Sequence, residues 1–337
     1  MEHQLWKALV AVLATLGKPR KRRADAYTDH DIVKVYYWAV IHDRSQDWAC
    51  QATHWPIHLR RQRLPVPGTL SRRLKTPTVV ALLDALEQRV IAPKEPGLFW
   101  MIDGKPLVIG GCSTDRQAGY GRAANSKAKG YKIHALVDPT GAIASWRLAP
   151  MNKDERVVAE RMLKVAPIQG YVAADSNFDS NKLHEVCDRR GDLQLVTRRR
   201  YGPDHGTGHR KQSAGRLRSI ALTENPFPRF ANQMLHDRDD IERRFGQLVN
   251  WGGGLTCLPA WVRTHRRVRR WVQAKLVLTA LKRTTQIRTC AAQRKKFWRV
   301  GLGWLITSAV LHDVALPLGC RGKMANWQNA PGDSAQP

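Results

Sequence analysis

Between residues 98 and 197 the chain carries five short apolar runs of strand character, and their spacing limits the fold more than any other feature. The first, 98–102, ends at Asp103. Residues 131–138 alternate apolar and polar positions with a period of two, the mark of a half-buried strand. Pro139-Thr-Gly signals a turn, and 142–148 returns as a third strand. The rhythm then changes to a helix over 154–165, a strand over 171–174, a helix over 180–190 stopped by Gly191, and a strand over 193–197. Three strands in hairpin order, followed by helix and strand in alternation, predict an α/β fold with a mixed sheet.

Upstream, residues 1–92 read as helical. Thr28 can cap a helix starting at Asp29, whose apolar stripe is Ile32, Val35, Tyr36, Ala39 and Val40. A short helix fits 47–54. Leu64-Pro-Val-Pro-Gly breaks the chain, after which Thr69 would cap a short basic helix and 78–90 forms an amphipathic one. Residues 93–97 are a linker, so the expected division is a helical domain over 1–92 and an α/β domain over 98–285. Residues 200–220, rich in Gly, Lys, Arg and His, read as a mobile basic loop. Helices are expected over 234–251 and 263–283, a helical segment over 286–320 and a loose tail over 321–337.

Charge narrows the partners. The 337 residues hold 56 Lys and Arg against 28 Asp and Glu, a formal charge of +28. Such a field attracts nucleic acid. An anionic membrane surface or a ribosomal neighbour fits the charge alone. The short Ser/Arg-rich helix resembles the recognition helix of a helix-turn-helix, with Ser71, Arg72, Arg73 and Lys75 facing a duplex. The competing reading is a small helical cap with a solvated basic face. Clustering of arginines without intervening acids favours DNA. The apolar stretch 6–16 contains Lys7 and runs into Lys18-Pro-Arg-Lys-Arg-Arg without a cleavage site, so no secretory signal is expected. Residues 300–311 are too short to span a bilayer. The six cysteines form no C-x-x-C pair, which suits a reducing compartment. A cytoplasmic, nucleoid-associated protein without membrane contact is the expectation.

Three acids stand out against this basic background. Asp103 and Asp175 each follow an apolar strand, and a sheet sets strand ends side by side. Glu242 lies on a helix whose core stripe is Ile241, Phe245 and Leu248, with Arg238, Glu242 and Gly246 on the neighbouring stripe. Asp239 and Asp240 compete with Glu242 on the wheel alone. Gathered carboxylates need cations, and magnesium prefers such hard oxygen ligands. Two ions held this way serve in-line phosphoryl displacement.

The series Met101-Ile-Asp-Gly, Lys129-Gly-Tyr-Lys-Ile-His-Ala-Leu-Val-Asp, Ala173-Ala-Asp-Ser-Asn-Phe-Asp and Arg238-Asp-Asp-Ile-Glu-Arg-Arg-Phe-Gly-Gln-Leu resembles the DDE transposases of bacterial insertion sequences, from about residue 98 to 283 and in the right order. The resemblance implies an RNase H-like mixed sheet flanked by helices, behind an N-terminal all-α domain of helix-turn-helix type. It implies that Asp103, Asp175 and Glu242 are a catalytic triad holding two magnesium ions, with manganese as the alternative. Residues 127–134, with Lys129 and Lys132, would lie near the site and help hold DNA, as would Arg238. Many members carry Tyr and Lys where this chain has Leu235 and Val249. Arg243, Arg244 or the 263–270 cluster, with Arg266 and Arg267, would substitute in gripping the element ends.

The implied activity is cleavage at terminal inverted repeats and strand transfer into target DNA, by a homodimer when DNA is bound. Two other readings remain open. One is an RNase H-like nuclease or junction resolvase that cuts without joining. The other is a non-catalytic DNA-binding regulator derived from a transposase.

Overall fold

The computed structural model describes residues 2–17, 26–60, 63–93, 97–110, 113–123, 126–201, 212–224, 229–236, 238, 245 and 257–284. These all lie within one compact unit, Met1–Ile287. The segments expected over 286–320 and 321–337 fall outside the described residues.

The N-terminal region is all helical: α1 (Glu2–Thr15), α2 (Asp29–Ile41), α3 (Gln46–Ala49), α4 (Pro67–Arg73) and α5 (Pro77–Ile91). Thr28 caps α2 as expected. Its hydroxyl accepts the Asp31 N–H, while the Asp31 carboxylate accepts the Thr28 N–H, a reciprocal capping box. The expected apolar stripe of α2 is buried, and so are Val33, Tyr37 and Trp38, so the helix runs through the core and not across its surface. Much of the tryptophan content is spent here. The Trp38 and Trp55 rings stack at 4.6 Å, and Trp6 meets both edge-on. The two stacked indoles donate to the His54 and Ala49 carbonyls. Helix α4 begins at Pro67, two residues before the expected Thr69 cap. Proline at the first helical position loses no hydrogen bond and presets φ, which moves the start upstream.

The second half is a six-stranded mixed sheet: β1 (Phe99–Val108), β2 (Gly119–Ala123), β3 (Ser126–Val137), β4 (Ile143–Pro150), β5 (Gly170–Ala173) and β6 (Leu193–Val196). The order across it is β4-β3-β1-β5-β6, with β2 against the first part of β3. Strands β1, β3 and β4 pair antiparallel, whereas β5 and β6 run parallel to β1. Helices α6 (Glu155–Leu163), α7 (Asn181–Arg190) and α8 (Ala214–Glu224) complete the α/β part. The protein therefore has the expected fold class, an RNase H-like mixed sheet flanked by helices and preceded by a helical region.

Alternation along β1 serves two cores. Trp100 and Ile102 join Leu136, Val172 and Leu195 beneath Val158, Met162, Leu183 and Val186 of α6 and α7. Met101 and Leu107 belong with Tyr131, Ile133 and Ala135 to a larger core, shared with the N-terminal helices and a helix over 265–284. The start of that last helix is held by a distant loop. Asp115 accepts the Thr264 N–H at 2.7 Å and the Tyr131 hydroxyl at 2.8 Å, while Gln117 accepts the His265 N–H at 2.8 Å. Further along, Gln273 donates to Asp84 and Glu87 of α5, and the buried Lys275 reaches Asp43 at 2.5 Å.

Three elements differ from expectation. Strand β1 does not end at Asp103 but continues to Val108, because residues 103–108 pair with 130–135 of β3. Pro106 is tolerated because β5 pairs only with Phe99–Met101, so that among the described residues no strand pairs with the other edge at Pro106. Strand β2 was not expected. Its Gly-Tyr-Gly-Arg-Ala sequence looks like a loop, yet a Cβ at Gly121 would stand 2.6 Å from the Met151 carbonyl oxygen. Glycine is there for close approach, not for a turn. Helix α8 replaces the end of the loop expected over 200–220, while 202–211 lie outside the described residues. The face that α8 buries is polar: Gly215, Arg216 and Ser219. Arg216 makes a two-point pair with Asp179 at 2.6 and 2.7 Å, and Ser219 bonds both backbone groups of Thr197. Asp179 thus takes a partner in α8. It does not open α7, whose cap is the Ser180 hydroxyl.

Candidate active site

Two of the three acids meet by register. Met101 of β1 pairs with Ala173 of β5, a separation of 72 positions, and Asp103 and Asp175 are separated by the same 72. Paired strands lie about 4.8 Å apart, and residues matched in a parallel pair point to the same face. Asp103 stands inside β1, fixed on its other side by pairing with Ala135. Asp175 follows β5 directly, where its carboxylate accepts the Asn177 N–H at 2.9 Å and closes a single 3-10 turn over Ser176–Phe178.

The electrostatics mark Asp103 as a carboxyl held against its own charge. Burial pushes its pKa up to about 7. The Gly104 N–H, donating to Oδ1 at 2.7 Å, opposes the rise. The Asp175 and Glu155 carboxylates add to it, and the Arg238 guanidinium draws it down. Asp175, Glu155 and Arg238 are charged neighbours of Asp103, and Lys105, two residues along β1, feels the Asp103 carboxylate in turn. Gly104 leaves room for its neighbours on β3, since a Cβ there would stand 3.0 Å from the His134 ring and from the Lys132 side chain. His134 itself is buried as a packing residue, and burial together with Lys132 lowers its pKa to about 4.

Two expected lysines lie on β3 with different partners. Lys132 pairs with Glu155 at the start of α6. Lys129 donates to the Ser113 carbonyl at 3.0 Å and stands over the Tyr120 ring. Glu155 is the residue that sequence reasoning missed. Its position at a helix start reads as ordinary dipole chemistry, and only the packing of α6 on β3 and β4 brings it to Lys132 and Asp103.

Glu242 and Val249 lie outside the described residues. Around Glu242, Arg238 sits near Asp103, and Phe245 is buried in the same core as Met101. Residues 229–236 are helical, and Leu235 is buried with Ala231 and Met234 against Val196. Leu235 is thus a packing residue.

The remaining expected DNA contacts are not gathered at the acids. Arg72 and Lys75 are exposed on and just after α4. Arg73 is a correction: it points inward, 8 % exposed, pairs with Asp29 at 2.7 Å and donates to the Tyr27 carbonyl. Successive helical residues stand about 100° apart, so Arg72 and Arg73 cannot both share the outer face. Arg266 and Arg267 are exposed at the start of the 265–284 helix. Trp271 is buried in the core, whereas Trp261 is 39 % exposed.

The donor set fits a hard divalent cation. Two carboxylates lie near each other at the end of the β1–β5 ladder, and one of them is desolvated with like charges beside it, a repulsion that a cation relieves. Among the described residues no group of three or more His, Cys, Asp and Glu is arranged to hold a metal ion, and the third expected ligand falls outside that set. No described helix is long and apolar enough to cross a membrane.

No curated protein matches the chain. A solved structure of the piggyBac transposase synaptic complex with hairpin DNA aligns with a TM-score of 0.44 and 11 % identity, covering 83 % of this chain and 71 % of that one. The family described as the transposase DDE domain matches residues 98–277, which begins just before β1 and ends within the 265–284 helix. That span takes in the whole sheet, both aspartates and Glu242, and the chain belongs to the transposase DDE domain family.

Proposed function

We propose that the protein is an insertion-sequence DNA transposase that cleaves the ends of its element and joins them to target DNA. The observation that carries this reading is the closeness of Asp103 and Asp175, each two residues beyond the last β1–β5 pair, Met101 with Ala173, together with the Asp103 carboxyl raised to about 7 by burial and by its acidic neighbours. Glu242 is proposed as the third ligand, on the basis of the family motif. Divalent cations bound there, magnesium or manganese, would supply activation of an oxygen nucleophile and stabilisation of the leaving oxygen in phosphodiester cleavage.

The chain's own residues hold and orient. Asp103 is fixed by β1 on a rigid sheet, and Asp175 is braced by its own turn. Arg238 stands beside them as a cation for a DNA phosphate. Lys132, kept in place by Glu155, and Lys129 line the strand leading away from the acids. Arg72, Lys75, Arg266 and Arg267 are proposed to contact the duplex backbone, with the N-terminal helices reading the terminal repeats. Two ends have to be joined, so a homodimer is expected on DNA.

Asp103→Asn is expected to abolish magnesium-dependent cleavage of a labelled element end while end-binding persists. Retained cleavage removes the assignment. A strand-transfer assay separates the transposase from a nuclease that only cuts, since only the former yields joined product.

A further inference from the structure

We propose that a cleft between the N-terminal helices and the start of the 265–284 helix is a binding site for a backbone phosphate of DNA. It encloses about 300 Å³ and is lined by Arg44, Ser45 and Ser71 on one side and by Arg267, Arg270 and Trp271 on the other. That volume is at the lower end of the range of about 300–1,000 Å³ usual for ligand sites.

The chemistry of the lining is that of an anion site. Arg270 is 7 % exposed, yet its guanidinium has no ion pair among the described residues. It faces the Tyr36 ring, 6.0 Å away. A buried cation of this kind is costly unless an anion reaches it. The indole N–H of Trp271, on the same wall and 3 % exposed, is a buried donor without an acceptor. Arg44 and Arg267 add two guanidinium groups at the mouth, and Asp47 is the single acid in the lining. Burial lowers the pKa of Arg270, and the positive charges of Arg266 and Arg267 lower it further, against the Tyr36 hydroxyl. A phosphate in the cleft would offset both the burial and the repulsion.

DNA is the phosphate source because the exposed Arg72 follows the lining residue Ser71 and the exposed Arg266 precedes the lining residue Arg267, which extends the basic surface along both helices beyond the cleft. One phosphate bound there would tie the N-terminal helices and the 265–284 helix to the same strand. This inference rests on the DNA-handling reading above.

The test is the salt dependence of duplex binding by the full chain. Removing one phosphate-neutralising side chain lowers the slope of log K against log[salt] by about one. Arg44→Ala, Arg267→Ala and Arg270→Gln are compared with Arg161→Ala, an arginine on the surface of α6. A drop of about one in slope for the cleft variants, absent in Arg161→Ala, supports the site. Arg44→Ala and Arg267→Ala keep the test decisive if Arg270→Gln fails to fold, because neither side chain is buried. Slopes no lower than that of Arg161→Ala overturn the site and leave the transposase reading intact. Wild-type protein that binds no DNA at all overturns both. Pyrophosphate raising the melting temperature of the wild type but not of Arg270→Gln, with unchanged DNA slopes, assigns the cleft to a free anion and overturns the DNA assignment.

Discussion

Asp103 is a carboxylate that the metal-free fold holds at a loss, and replacing it with Asn should make that loss measurable. Its pKa rises from an ordinary 3.8 to about 7. At about 1.4 kcal/mol per pH unit, this sets a ceiling of about 4 kcal/mol. Solvent reaching the partly exposed carboxyl screens the effect, leaving about 2 kcal/mol. The folded state binds the proton more tightly than the unfolded chain does. The contribution to stability is therefore full below the unfolded value and is lost as pH rises through about 7. Asp103→Asn, which carries no charge at any pH, should accordingly melt higher than wild type at pH 8 in a chelator. A unit of this size gains about 2 °C per kcal/mol, so the expected rise is about 4 °C. The gain should shrink steadily as pH falls from 7 towards 4. Added magnesium should raise the wild-type melting temperature and leave the variant unmoved, because cation binding is what relieves the charge. Thermal melts of both proteins across pH, with and without magnesium, decide the matter. A variant no more stable than wild type at pH 8, or one equally stabilised by magnesium, refutes the reasoning.

Arg216→Met removes the two-point partner of the buried Asp179 carboxylate and should cost about 3–5 kcal/mol in chemical denaturation, while the double variant with Asp179→Leu should recover most of it. Burial raises the Asp179 pKa, but its bonds from the Arg216 guanidinium and the Arg200 N–H, with the His184 ring 3.6 Å away, outweigh that and hold it well below the usual carboxylate range. The pair therefore stabilises above about pH 4 and its contribution fades as pH falls further. The acid sensitivity of the wild type should be weaker in the double variant. Gly121→Ala would drive a Cβ to 2.6 Å from the Met151 carbonyl oxygen and should cost about 1–3 kcal/mol, read as a lower denaturant midpoint. Thr28→Ala removes the α2 capping box and should cost about 1 kcal/mol by the same measurement.

The sheet was legible wherever apolar alternation carried it. Strands β3 to β6 and helices α6 and α7 lie within a few residues of their expected places, and Gly191 ends α7 at φ +75° as anticipated. The meeting of Asp103 with Asp175 was likewise visible, because both follow runs that the register then aligns. What stayed hidden had no apolar signature. Strand β2 is built on glycines chosen for closeness, and α8 buries an arginine and a serine where a reader looks for leucines. Arg73 and Glu155 were misread for a related reason. A charged side chain declares its partner only after packing, and Asp29 and Lys132 lie 44 and 23 positions away from them.

The Asp115 carboxylate joins segments of the chain that are synthesised far apart. It lies in the connection between β1 and β2, yet one of its acceptor sites waits for the Thr264 N–H, 149 positions later. A nascent chain can build the β1–β3 hairpin long before that donor leaves the ribosome. The last long helix then arrives to a finished socket, and its first turn is clamped on arrival. Closure of the larger core therefore waits for the last long helix, which Asp115 and Gln117 hold at its start and Asp84, Glu87 and Asp43 hold further along.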